Sequence, residues 1–156
     1  MTSLASINEE LRTIVAPNAP RATSFEFFVP GIPTPWARAG GGKTVVRFTP
    51  NKQRSAMGDI KLFCQRAMAG SAPIAEKPVS LQAWAFYPWP ASWSAKKRAA
   101  TVWKMSRPDL DNVTIKIVAD ALNGVAWIDD GQIAQAMLTK QYSDKPGLFV
   151  RVEVLT

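Results

Sequence analysis

The chain has 156 residues, 47% hydrophobic and 20% charged, with 19 Lys and Arg against 12 Asp and Glu, a formal charge of +7 and a pI near 9.9. That length and apolar content suit one globular domain burying roughly two-thirds of its unfolded surface, and the charge favours an anionic partner, nucleic acid ahead of an anionic membrane. One cysteine, Cys64, and no histidine exclude an intramolecular disulfide, classical zinc sites, Ser-His-Asp triads and Cys-His pairs, so any catalysis rests on Asp, Glu, Lys or a hard metal ion.

The N-terminus lacks the basic-then-apolar pattern of a signal peptide, and no apolar run approaches the roughly 20 residues of a membrane span, so a cytoplasmic location is expected. Ser6-Ile7-Asn8-Glu9 has the form of a capping box, with Ile7, Leu11, Ile14 and Val15 on one face of the helix it starts. Pro17, Pro20 and their small neighbours then read as a linker, which divides the chain into an extension, 1–22, and a domain, 23–156. Alternation of Phe25, Phe27 and Val29 predicts a first strand over 24–29, and TVVRF (44–48) a second. Between them the loop PGIPTPWARAGGGK carries Trp36, Arg38 and Lys43.

Thr49-Pro50 supplies an N-cap and first-turn proline for a helix to about Ala69, with Ala56, Ile60, Phe63, Cys64 and Ala67 on one face and Lys52, Arg54, Lys61 and Arg66 largely elsewhere. VSLQAWAFY (79–87) reads as a strand, followed by a Pro/Trp turn and a short basic helix from Ser94. Pro108 disfavours helix at Arg107, Asp111 is placed to cap a helix through Leu122, and Asn123-Gly124 stops it. Asp129-Asp130-Gly131 is turn chemistry, and strands over about 132–142 and 148–155 finish the chain. The expected class is α/β (α+β): a single domain, a mixed sheet of about five strands with helices packed on it.

Five carboxylates, Asp109, Asp111, Asp120, Asp129 and Asp130, fall in RPDLDNVTIKIVADALNGVAWIDD. Carboxylates about 4 Å apart repel by about 1 kcal/mol in water and more in a drier site, so a cation should offset them. Side chains two apart in an extended segment share a face, which makes Asp109 and Asp111 a chelating pair. Taken alone, each also reads as a cap or a charge at a helix N-terminus, and Asp129-Asp130 as a solvated turn. Their joint occurrence, linked by one helix and a tight stop that brings the ends back together, favours an oxygen-only site for Mg²⁺ or Mn²⁺. A basic protein with an acidic pocket and a hard cation suggests phosphodiester hydrolysis.

RPDLDN, a following lysine, DALNG, W-x-DD and Q-I resemble the signature of the RusA family of crossover junction endodeoxyribonucleases of bacteria and their phages. VPGIPTPWAR, VVRFTP, FYPWPASWSAKKR and KQYSDKPGLFVRVEV resemble the family's other segments in order, so the likeness runs from about Phe25 to Val154. It implies a homodimer that resolves four-way (Holliday) junctions in DNA recombination and repair, with Mg²⁺ (or Mn²⁺) and no small-molecule cofactor. Carried over by position, the ligands are Asp109, Asp111 and Asp130, and the catalytic lysine is Lys116. Here Lys116 follows Asp111 by five residues where the family pattern has four, which turns the side chain by about 140° in a regular helix; a later helix start or a π-bulge absorbs the extra residue. Asp120, one turn after Lys116, is its expected ion-pair partner, and Asp129 a turn or supporting residue.

Arg38, Lys43, Lys52, Arg54, Lys96, Lys97, Arg98 and Arg107 are the candidate phosphate contacts, although any one taken singly reads more readily as a solvated surface charge. Trp84 and Trp127 fit core positions, while Trp36, Trp89 and Trp93 sit in proline-rich turns, where they stack on exposed bases or pack a dimer. The rival readings are a non-cleaving branched-DNA binder on the same fold and a metal-dependent nuclease of forks and flaps.

Overall fold

A computed structural model describes residues 23–38 and 49–156. The helix expected within 1–22, the strand expected at 44–48 and Lys43 lie outside them. The elements are β1 (Ser24–Pro30), α1 (Asn51–Met68), β2 (Val79–Tyr87), α2 (Ala95–Ala100), α3 (Leu110–Val113), α4 (Ile115–Leu122), a 3₁₀ turn (Asp130–Gln132), β3 (Ile133–Tyr142) and β4 (Gly147–Val154). The described strands form one sheet of four rather than five, in the order β1-β4-β2-β3. β4 is antiparallel to both neighbours, with Phe27 opposite Val150 and Leu81 opposite Val152. β2 and β3 are parallel, with Ala83 opposite Leu138.

Alternation along the strands gives the sheet two different faces. Phe25, Phe27, Val79, Leu81, Ala85, Leu148, Val150 and Val152 are buried under the helices. α1 lies between β1 and α4 and contributes Ile60, Cys64 and Met68 to the core. Burial pushes the Cys64 thiol up to about 12, so it remains protonated and packs as a small apolar group. The cap of α1 falls one residue later than expected. Pro50 is the N-cap and its carbonyl accepts from Arg54 N–H at 3.0 Å, while Ala69 ends the helix at φ 49°.

Of the two tryptophans expected in the core, only Trp127 is there, fully buried and donating its indole N–H to Asn123 Oδ1 at 3.0 Å. Trp84 points to the helix-free face, half-buried, because its strand neighbours Ala83 and Ala85 take the core positions; its ring packs on Phe149 at 5.2 Å between centroids. Glu26, Arg151 and Glu153 share that open face, with Arg151 2.7 Å from Glu153 and 3.9 Å from Glu26.

Because β2 and β3 are parallel, the chain between them crosses from one end of the sheet to the other. α3 and α4 make that crossing, with Ile117, Val118, Ala121 and Leu122 turned to the core. The Asn123-Gly124 stop closes on Trp127, whose carbonyl accepts from Gly124 N–H at 2.8 Å with Gly124 at φ 75°. Trp127→Ala leaves a large cavity at this joint and should destabilise the fold by about 3–5 kcal/mol, read as a lowered urea midpoint at unchanged slope.

Candidate active site

The acidic stretch is tied to the far end of β3. Tyr142 N–H donates to Val102 O at 2.8 Å and Lys104 N–H to Lys140 O at 3.3 Å. Lys140 Nζ then donates to Ser106 O at 2.8 Å and Pro108 O at 2.6 Å, one residue before Asp109. Sequence reasoning missed Lys140; it lies within KQYSDKPG, and only its pairing partner reveals what it holds. Asp109, rather than Asp111, is the N-cap of α3, without a side-chain cap bond, and Asp111 stands in the first turn. The carboxylate two residues further on falls inside the helix because the helix begins earlier than the sequence suggested.

The helix then breaks. Thr114 has φ −119° and ψ −93°, its hydroxyl donates to Leu110 O at 2.5 Å, and α4 starts afresh at Ile115. The extra residue between Asp111 and Lys116 is absorbed there, as a later helix start requires. Lys116 Nζ therefore turns back over α3, 2.8 Å from Asp111 Oδ2 and 3.1 Å from Asn112 Oδ1. The expected Lys116–Asp120 pair does not form. Asp120 Oδ2 accepts instead from the Trp36 indole N–H at 2.5 Å, and Lys116 Nζ lies 5.5 Å from the Trp36 ring centroid. The loop carrying Trp36 is docked by three more bonds: Trp36 N–H to Asn112 O at 2.8 Å, Ala37 N–H to the buried Gln53 Oε1 at 2.8 Å, and Tyr87 Oη–H to Pro33 O at 3.1 Å.

The hydrogen bond from Lys116, reinforced by its charge, holds the Asp111 carboxyl below the usual carboxylate range. Both side chains are about half exposed, at 45% and 51%, so the pair contributes little stability; its effect is orientation. Desolvation and the nearby Lys104 push Lys140 below its ordinary value, with Asp109 pulling the other way. Lys116 thus offsets Asp111 directly, while Lys140 only lies within range of the Asp109 charge.

Asp130 does not join them within one chain. It lies just before β3 begins at Ile133, whereas Lys140, seven residues further along that strand at about 3.3 Å each, holds the segment running into Asp109, and the turn after α4 closes on Trp127 instead of returning. Gln132 fixes the 3₁₀ turn at the start of the sheet, its Nε2 donating to Ile74 O and Lys77 O, both at 3.0 Å. Asp129 caps that turn by accepting from Gly131 N–H at 3.0 Å, which leaves Asp130 exposed. Among the described residues no group of three carboxylates stands close enough to hold one ion.

The basic candidates gather at the Asp109 end. Arg38 follows the Ala37–Gln53 bond and Lys52 precedes it; both are exposed, as are Arg54, Lys96 and Arg107. Lys97 stands 4.1 Å over the Trp93 ring, and Arg98 is half-buried, its guanidinium spent on Pro90 O and Ala91 O at 3.4 and 3.1 Å. Trp89 and Trp93 pack on Tyr142, at 6.2 and 5.4 Å between centroids.

A family model described as endodeoxyribonuclease RusA matches residues 30–153, the span that contains every element from α1 to β3 and nearly all of β4. The chain belongs to this family. It is also 37% identical over 84 residues to the uncharacterized protein YqaN of Bacillus subtilis (strain 168), an alignment covering 50% of this chain and 56% of that protein, so the chain spans about half the length of the curated relative it matches. No helix among the described residues is long and apolar enough to cross a membrane.

Lys116→Met should raise the Asp111 pKa toward its ordinary range, read by carbon-13 carboxyl titration. A depressed carboxyl stabilises the fold above its unfolded pKa and loses that contribution as pH falls through the folded value, but with both side chains half exposed the acid-denaturation curve of the variant should stay close to that of the wild type.

Proposed function

We propose that this protein is a homodimeric, divalent-metal-dependent endonuclease that resolves four-way DNA junctions in the cytoplasm, in recombination and repair. The observation that carries it is the Lys116–Asp111 pair on an exposed helix start, two residues after the exposed Asp109, in a chain of the RusA family. The donors are hard, exposed oxygens, which fit Mg²⁺ or Mn²⁺ and no softer ion. Asp109, Asp111 and Asp130 are the residues that would hold it. A bound divalent ion there would supply activation of water and stabilisation of the leaving 3′-oxygen. Lys116 stabilises charge on the phosphate in the transition state, and Arg38, Lys52, Arg54, Lys96 and Arg107 hold the arms without reading bases.

Separation of Asp130 from the other two aspartates supports a site built by two protomers. Among the described residues, only 102–104 pair with the outer side of β3, at its far end, and Ala134, Gln135, Ala136 and Met137 are exposed. Antiparallel pairing of that edge with its copy sets the start of one strand beside the far end of the other. Asp130 of the partner subunit then completes the Asp109 and Asp111 pair, and a two-fold axis gives two sites for paired cuts.

Asp109→Asn and Asp130→Asn should each abolish cleavage of a labelled four-way junction in Mg²⁺ while leaving binding intact. Mixing the two variants should restore nicking, because one of the two sites in a mixed dimer is wholly wild type; a mixture as inactive as its components would overturn the shared site. Equal cutting of matched forks and flaps would favour the broader nuclease reading, and junction binding without any nicking the non-cleaving one. Junction affinity should fall steeply with salt as phosphate contacts release counterions, measured by titration from low to physiological salt.

A further inference from the structure

Lys116 has two carboxylates within reach, and the structure shows why it takes one. Asp120 lies four residues on, the spacing at which helical side chains are neighbours, yet the amine turns to Asp111. Between them stands Trp36. Its indole N–H makes a short, charge-assisted bond to Asp120 at 2.5 Å, and its ring face lies 5.5 Å from the Lys116 ammonium, a cation–π contact that holds the amine clear of Asp120. We propose that Trp36 is a positioning residue: its indole N–H occupies the Asp120 carboxylate, which would otherwise draw Lys116 one turn along α4 and away from Asp111. The proposal rests on the catalytic part assigned above to Lys116. It places the loop after β1 in control of the amine, since Trp36 N–H and Ala37 N–H dock that loop on Asn112 and Gln53 independently of the indole.

Trp36→Phe keeps an aromatic ring and both backbone anchors while removing the indole N–H along with the five-membered ring. Single-turnover cleavage of a four-way junction should slow about tenfold, part of the ~10²-fold loss expected for Lys116→Ala. Asp120→Asn should cut within about threefold of wild type, and Trp36→Phe with Asp120→Asn should recover to the same level, because no carboxylate remains to capture the amine. A reading without catalysis uses the metal-free protein labelled with carbon-13 at lysine Cε. Asp120→Asn should move the Lys116 signal in the Trp36→Phe background and leave it in place in the wild-type background. Wild-type cutting by Trp36→Phe, a double variant as slow as the single, or a Lys116 signal indifferent to Asp120 in both backgrounds would each overturn the proposal. A wild-type protein that left junctions uncut would overturn the nuclease reading, and the metal-free spectra would still decide whether Trp36 holds Lys116 in place.

Discussion

Parallel pairing of β2 with β3 is the constraint from which the rest of the molecule follows. A parallel pair cannot be closed by a hairpin, so the chain between Tyr87 and Ile133 must return along the sheet, and a helix is the economical way to satisfy its backbone while doing so. The return segment carries the whole acidic stretch. One end of that segment, with Asp109 and Asp111, is fixed beside Lys140 at the far end of β3; the other, with Asp130, is fixed beside Ile74 and Lys77 at its start. Two carboxylate sets that are neighbours in sequence therefore become opposite poles of one layer.

Charge is arranged around that geometry. A chain carrying +7 has little difficulty collecting cations at one end of a sheet; the difficulty is keeping them from collapsing onto the acids in the wrong pairs. Three carbonyl and carboxylate anchors prevent it. Lys140 is spent on Ser106 and Pro108 carbonyls, Lys116 on Asp111 and Asn112, and Asp120 on an indole. Asp109 is left exposed and outside these bonds, the state expected of a carboxylate open to a ligand.

The fold was legible where hydrophobic periodicity is strong. The strands at Ser24, Val79, Ile133 and Gly147 and the helix through Ile60 and Cys64 fall within a residue or two of expectation, because burial on one face enforces period. The same signal misplaced Trp84, since period alone does not say which face of a sheet is covered. In the site, the count of residues left Lys116's approach to Asp111 open, since five residues of regular helix turn the amine away and only a break such as that at Thr114 absorbs the extra one. The failure of Lys116 to pair with Asp120 was not legible: the competitor, Trp36, comes from a loop far away in sequence, and spacing rules see only their own helix. Lys140 was invisible for the same reason, its partners being main-chain carbonyls that no side-chain pattern announces.

The break at Thr114 also makes the crossing helix tolerant of changes in length. α4 is anchored by its packing against α1 and by Leu122 and Trp127 beyond it, whereas α3 is anchored by the segment running into Asp109. With a break between the two pieces, a residue gained or lost on the exposed side of α3, ahead of the buried Val113 and Thr114, need not rotate the buried face of α4 out of the core. A single-residue insertion, which in a continuous helix would turn every downstream apolar side chain by about 100°, becomes a local event at one threonine, and the chemistry on the upstream side can be re-spaced while the hydrophobic core stays as it is.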